Sequence, residues 1–201
     1  MKKIIFTLLL AIFFGSLPML HASEAIASLS LQLKGIDTPV IIEKLNAADG
    51  ISLKISGNSD NLLFDSGIIG SENKLFVVAD QATGLGTFDF DGDGNVEILA
   101  SAFYGPKASA LYVYRFDPAS KKFSPVRFLN SSDPELSTDF MTSDLRQEDG
   151  QDMVVKADGS IVALGLIYPA KPDETPVQGL YTWKFSNGEF KLIDKKAVTA
   201  D

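Results

Sequence analysis

LYTWKFSNGEFKLI, residues Leu180 to Ile193, reads as one complete hairpin. Side chains alternate across a strand with period two, so Tyr181, Trp183 and Phe185 share one face while Leu180, Thr182 and Lys184 share the other. Asn187-Gly188 then turns the chain into a second strand that carries Phe190. An echo, LYVYRFDPASKKFSPV, begins at Leu111. There Tyr112, Tyr114 and Phe116 take one face, Leu111, Val113 and Arg115 the other, and the turn at Asp117-Pro118 leads to Phe123. The match predicts a repeated supersecondary unit, either a propeller blade or paired sandwich hairpins. The offset of 69 residues between Leu111 and Leu180 is longer than a usual blade.

The same grammar holds from Leu29 onward. Short runs rich in Val, Ile, Phe and Tyr are punctuated by Gly, Asn, Asp and Pro. Val40–Leu45 and Ile51–Ile55 flank Asn46-Ala47-Ala48-Asp49-Gly50, and Lys74–Ala79 forms a further strand. Asp152–Lys156 and Ile161–Tyr168 flank Asp158-Gly159, which predicts a two-residue hairpin turn. Nothing shows a sustained helical period with caps. The expectation is a single all-β domain over 28–201, antiparallel, built from successive hairpins, β-propeller-like or β-sandwich.

Residues 1–27 are set apart from that domain. Met1-Lys2-Lys3 is basic, Ile4–Phe14 is an almost unbroken apolar run, and Ala22, Ala25 and Ala27 supply small cleavage positions. This layout predicts a secretory signal peptide cleaved near 22–27, with Ala25-Ile26-Ala27 the best A-x-A fit. Gly15, Ser16 and Pro18 interrupt the run too early for a membrane span. The expected address is periplasmic or extracellular, with no membrane span after cleavage. With no cysteine in the chain, neither a lipid anchor on cysteine nor a disulfide framework is available.

The remaining stretch, about 175 to 180 residues, is long enough for one domain with its own core. Loss of Lys2 and Lys3 takes the net charge from −8 to −10. Such acidity argues against nucleic acid and anionic membranes, and favours cations or a basic protein partner. The only histidine, His21, lies within the expected leader. Without His and Cys, the mature chain has no Ser-His-Asp triad, no thiolate nucleophile and no ordinary zinc site. Carboxylates, lysines, hydroxyls and a hard cation remain.

One segment gathers those carboxylates. FDFDGDGNVEIL, Phe88 to Leu99, places Asp89, Asp91 and Asp93 at alternate positions, then Gly94, Asn95 and Glu97. On a curling loop, alternate side chains converge on one point, Gly94 supplies the sharp turn, and the Asn95 carbonyl adds a neutral oxygen. All-oxygen ligation by several carboxylates suits Ca2+, which accepts six to eight ligands in flexible geometry. Transition metals would want imidazole or thiolate. The metal expectation is therefore a structural Ca2+ loop at 89–97, held by Asp89, Asp91, Asp93, Asn95 and Glu97. An EF-hand is excluded, because position 12 of the loop is Ala100 and the flanks read as strands. Gly84-Leu85-Gly86 does not complete a dinucleotide fingerprint, since Asp89 stands where the third glycine belongs.

The loop resembles the D-x-D-x-D-G-x-x-D loops of integrin-like FG-GAP or VCBS repeats, which lie between β-strands. Here Glu97 stands where those repeats carry Asp, and its extra methylene shifts the geometry or brings in water. Taken with Phe103-Tyr104-Gly105-Pro106 and the two aromatic hairpins, Phe88–Ile193 looks like a family of small secreted bacterial β-proteins with one such loop. That family includes periplasmic inhibitors of lysozyme-like cell-wall hydrolases, some serving as immunity proteins. The resemblance implies Ca2+ at Asp89, Asp91, Asp93 and Glu97 and does not identify the inhibitory residues; no catalytic residues are expected.

Three functions follow in order of expectation. The first is a non-catalytic inhibitor or immunity protein for a basic, lysozyme-like peptidoglycan hydrolase, which its acidity would steer towards it. On that reading Phe103–Ser109 protrudes after the calcium strand, with Phe103 and Tyr104 as candidate partner contacts. The second is a structural or adhesion module that binds a surface protein or glycan. The third is a carboxylate-only glycosidase, for which no pair such as Asp139 and Asp144 stands out. Asn130-Ser131-Ser132 fits a glycosylation sequon, a pattern of high chance frequency.

Overall fold

A computed structural model of the chain describes residues 23–58, 61–130, 137–169, 171 and 173–198. The expected leader up to residue 22 lies outside the described residues, as do Ser131 and Ser132 of the sequon. Among the described residues the protein is all-β, with no helix and three open sheets rather than a closed barrel. Strands are numbered in chain order.

The first sheet is a meander of sequence neighbours: β1 (Glu24–Leu31), β2 (Val40–Ala47), β3 (Gly50–Ser56) and β4 (Leu62–Gly70), each antiparallel to the next. The second runs β11 (Lys122–Pro125), β10 (Ser109–Asp117), β9 (Glu97–Phe103) and β5 (Glu72–Asn73), with β13 (Met141–Ser143) also on β10 and β8 (Leu85–Phe88) also on β9. The third runs β12 (Phe128–Leu129), β17 (Glu189–Ala197), β16 (Val177–Ser186), β15 (Ser160–Ile167), β14 (Met153–Val155), β6 (Phe76–Val78) and β7 (Gln81–Thr83).

Two cores explain how the sheets stack. Val40, Ile42, Ile51, Leu53 and Ile55 of the first sheet pack with Ile98, Ala100, Ala102, Tyr114 and Phe116 of the second. Leu99, Leu111 and Val113, the alternate residues of the same two strands, pack with Phe76, Met153, Ile161, Phe185 and Phe190 of the third. The second sheet is thus covered on both faces, and all seven residues of β9 are buried. Strands buried on both faces read as near-continuous apolar runs rather than clean alternation, as EILASAF does. Of the two architectures left open by the sequence, the layered, sandwich-like one is found.

The two echoing hairpins both form. Each closes on a cross-strand phenylalanine pair, Phe116 opposite Phe123 and Phe185 opposite Phe190. Yet Phe116 and Phe123 belong to the first core and Phe185 and Phe190 to the second, so the shared pattern serves opposite sides of the molecule.

Three expectations are corrected. The turn at Asp158-Gly159 is not a two-residue loop. Lys156 N–H donates to Ser160 O at 2.8 Å and Gly159 N–H to Lys156 O at 2.9 Å. Only Gly159 has positive φ, which makes a three-residue loop ending in a left-handed glycine. The sheets are not wholly antiparallel, since β6 pairs parallel with β14 and β12 with β17. These partners are far apart in sequence and are not bound to the antiparallel order that a short hairpin imposes. Finally, the strand expected from Lys74 begins at Phe76, because the chain there crosses from the second sheet to the third.

That crossing is stitched by buried polar groups. Lys44 and Lys74 are almost without solvent contact. The Lys44 ammonium donates to Asn73 Oδ1 at 2.7 Å, Gly84 O at 2.9 Å and Lys74 O at 3.3 Å, and also to Ser101 O. Lys74 Nζ donates to Asp152 Oδ1 at 2.6 Å and to Leu75 O at 2.7 Å. Ser109 Oγ donates to the other oxygen of Asp152 at 3.0 Å. Burial, reinforced by the neighbouring Lys74, lowers the Lys44 amine to a pKa of about 7.

At the other end of the chain, β1 begins at Glu24, with Ala25 opposite Leu45. Cleavage before Ser23 would leave this strand whole, whereas cleavage after Ala27 would remove its first half.

Candidate metal centre

The acidic loop spans the turn from β8 to β9, two strands hydrogen-bonded to each other with Phe88 opposite Glu97. Gly92 and Gly94 have φ of 72° and 84°, a left-handed backbone that lets the segment curl back on itself. The curl is held by the aspartates themselves. Gly92 N–H donates to Asp89 Oδ1 at 2.8 Å and Gly94 N–H to Asp89 Oδ2 at 3.0 Å. Asp93 N–H donates to Asp91 Oδ1 at 3.2 Å, and Asn95 N–H to Asp93 Oδ1 at 2.7 Å. The Asn95 N–H, helped by Arg115, holds the Asp93 carboxyl below its usual range.

Asp89, Asp91 and Asp93 each offer a carboxylate oxygen within 4.8 Å of the others. An ionised carboxylate has about four lone-pair sites, so each keeps acceptor capacity beyond the bonds above. The trio thus has the hard, all-oxygen chemistry that a calcium ion requires.

The other two expected ligands stand differently. Asn95 is buried, and its side-chain Oδ1 accepts from Lys34 N–H at 3.3 Å, tying the loop to the segment after β1. Glu97, with only 1% of its surface exposed, lies outside the aspartate trio. Its Oε2 accepts from Phe90 N–H at 3.1 Å. Burial raises its carboxyl to a pKa of about 7 against the pull of that N–H, and Asp91 adds to the rise.

The residue that sequence reasoning missed is Arg115. Its Nη2 donates to Asp91 Oδ2 at 2.7 Å and Asp93 Oδ2 at 3.1 Å, and its Nε lies 3.6 Å from Glu97 Oε1. The guanidinium also lies over the Phe185 ring, 5.7 Å from its centroid. A positive charge is thus already built into the loop from β10. Tyr114 pairs with Ile98, so one further step brings Arg115 opposite Glu97, a meeting set by the register of β10 on β9.

The candidate partner contacts separate. Phe103 is a core residue: it is 1% exposed, and the Arg146 guanidinium covers its ring at 4.0 Å. Tyr104 is 55% exposed and packs on Phe140 with centroids 5.4 Å apart. The loop that holds it starts at the far end of β9 from the aspartates, six residues of extended chain or about 20 Å away. An ion at Asp89 would therefore lie at the opposite end of β9 from the Phe103–Ser109 segment.

In comparisons with known proteins, the chain matches no family model, no curated protein and no solved structure.

Proposed function

We propose that the chain is a secreted or periplasmic calcium-binding β-protein that acts by binding another protein rather than by turnover. Its partner on this reading is a basic, lysozyme-type peptidoglycan hydrolase, which it inhibits or to which it confers immunity. The observation that carries the calcium part is the convergence of Asp89, Asp91 and Asp93 on one curled loop. The partner part rests on the family resemblance and on a net charge of −8 over the whole chain. Complementary charge steers association and disfavours acidic competitors. When bound, calcium would neutralise the crowded carboxylates and pin the turn between β8 and β9. The three aspartates would hold it, with Glu97 supporting the loop through Phe90 N–H.

Calcium at about ten times its Kd stabilises the native state by about 1.4 kcal/mol, or about 3–6 °C in melting temperature for a chain of this size. Melting curves in calcium and in chelator should show that gain for the wild type and lose it in Asp89→Ala/Asp91→Ala. An equal gain in the double variant would remove the ion from this loop. For the partner, lysis of peptidoglycan by a panel of hydrolases is titrated with the chain. Saturable inhibition of one member supports the reading. Complex formation that leaves lysis untouched points instead to an adhesion or structural module.

A further inference from the structure

The core face of the third sheet is not covered along its whole length. Ile161, Ala163 and Phe185 are buried in the second core, but further along the same face Gly165 and Tyr181 border an open groove of about 380 Å³. Phe140, just before β13, and Thr142 within it line it as well, and Tyr168 stands at its rim with 67% of its surface exposed. The groove is built rather than incidental. Tyr181 is fixed by its hydroxyl, which donates to Leu166 O at 2.7 Å. A side chain at position 165 would come within 2.9 Å of the Tyr181 ring and 3.3 Å of Asp144 Oδ2, so glycine is what lets the ring and the carboxylate close in.

Polar groups around the groove are left unspent. Asp144 accepts one bond, from Leu166 N–H at 3.1 Å through Oδ2, and its other oxygen has no partner among the described residues. Lys195 lies over the Tyr181 ring at 5.1 Å and has no hydrogen bond or ion pair among the described residues. Trp183, which also lines the groove, has a buried indole N–H with no acceptor among the described residues.

We propose that this groove binds a neutral oligosaccharide, with the exposed Tyr168 as its stacking ring and Asp144 and Lys195 as its hydrogen-bonding ends. A pyranose has apolar C–H faces for aromatic rings. Its rim of hydroxyls both donates and accepts, and so satisfies an acceptor-only carboxylate and a donor-only ammonium together. An anionic ligand would face Asp144 and an acidic protein, and a purely apolar one would leave both charged groups unpaired on burial. The volume falls within the range of small-molecule sites. This site is independent of the acidic loop and of any ion there.

The chain's single tryptophan is Trp183, so its fluorescence reports on the groove directly. The intact protein is titrated with triacetylchitotriose and with maltotriose up to about 10 mM. The expected result is a saturable change with at least one sugar, with affinity falling about tenfold in Tyr168→Ala and in Asp144→Asn. Tyr168 is exposed and Asn can still accept from Leu166 N–H, so both variants should fold, which circular dichroism checks. No saturable change with either sugar overturns the proposal. So does binding that survives both substitutions, or a response to a proline-rich peptide in place of the sugars.

Discussion

At the start of β9 the acidic loop carries its charges in partial contact with water; toward the far end Lys44, Lys74 and Asp152 carry theirs with almost none. Arg115 pairs with Asp91 at 2.7 Å and Lys74 with Asp152 at 2.6 Å, nearly the same separation. The side chains of the first pair are 31% and 28% exposed and those of the second 0%. Distance therefore does not rank them; the medium does. Exposed pairs contribute about 0–1 kcal/mol, because water and salt screen them and ordering two side chains costs entropy. A buried pair adds little net stability when intact, but removing one partner strands a charge that water cannot reach.

The hardest test of this contrast is Asp152→Asn. The amide keeps the shape and some of the hydrogen bonding but leaves Lys74 uncompensated, so unfolding in urea should show a loss of about 3–5 kcal/mol. A loss no greater than that of a surface variant would break the comparison. Lys44 sharpens it through pH. Its amine has a pKa of about 7 when folded against 10.5 for a solvent-exposed lysine, so between those values the unfolded chain holds a proton that the native chain has shed. Stability from this group therefore rises with pH from about 7 to 10.5, at up to about 1.4 kcal/mol per pH unit, and is flat below 7. Lys44→Met should be less stable throughout and lack that slope. The smallest effect belongs to Arg115→Gln, at about 1 kcal/mol or less in chelator, fading as salt is added. On the calcium reading the same substitution removes a competing cation, so terbium luminescence should report tighter ion binding than in the wild type.

The two regions also differ in what the sequence disclosed. Three aspartates and Gly94 within one short segment interact locally, and local spacing is what sequence reading detects. Arg115 escaped notice because its meeting with Asp91 depends on the register of β9 against β10. Lys44, Lys74 and Asp152 were invisible for a stronger reason. Lysine is almost never fully buried unless paired, and their partners come from five separate stretches of chain. The strand-and-turn grammar fared well because alternation and turn residues act over a few positions. It failed at β6, where the chain leaves one sheet for another, and in the parallel pairings, which no short-range signal encodes. Phe103 followed the same pattern: its place beside a loop resembled a contact, while the covering Arg146 lies far along the chain.

The pairing of β6 with β14 bears on the order in which the chain can fold. The first sheet joins only neighbours, from β1 to β4, and can assemble as soon as residue 70 is available. Val77 must wait for Val154, and Phe128 for Phe190, before the third sheet has its edges. Closing such long loops is entropically costly and slow. During synthesis, then, the first sheet would stand for a time with Val40, Ile42, Leu53 and Ile55 facing water. Chaperone capture or self-association is most to be feared in that interval, and its length is set by the last strand to arrive.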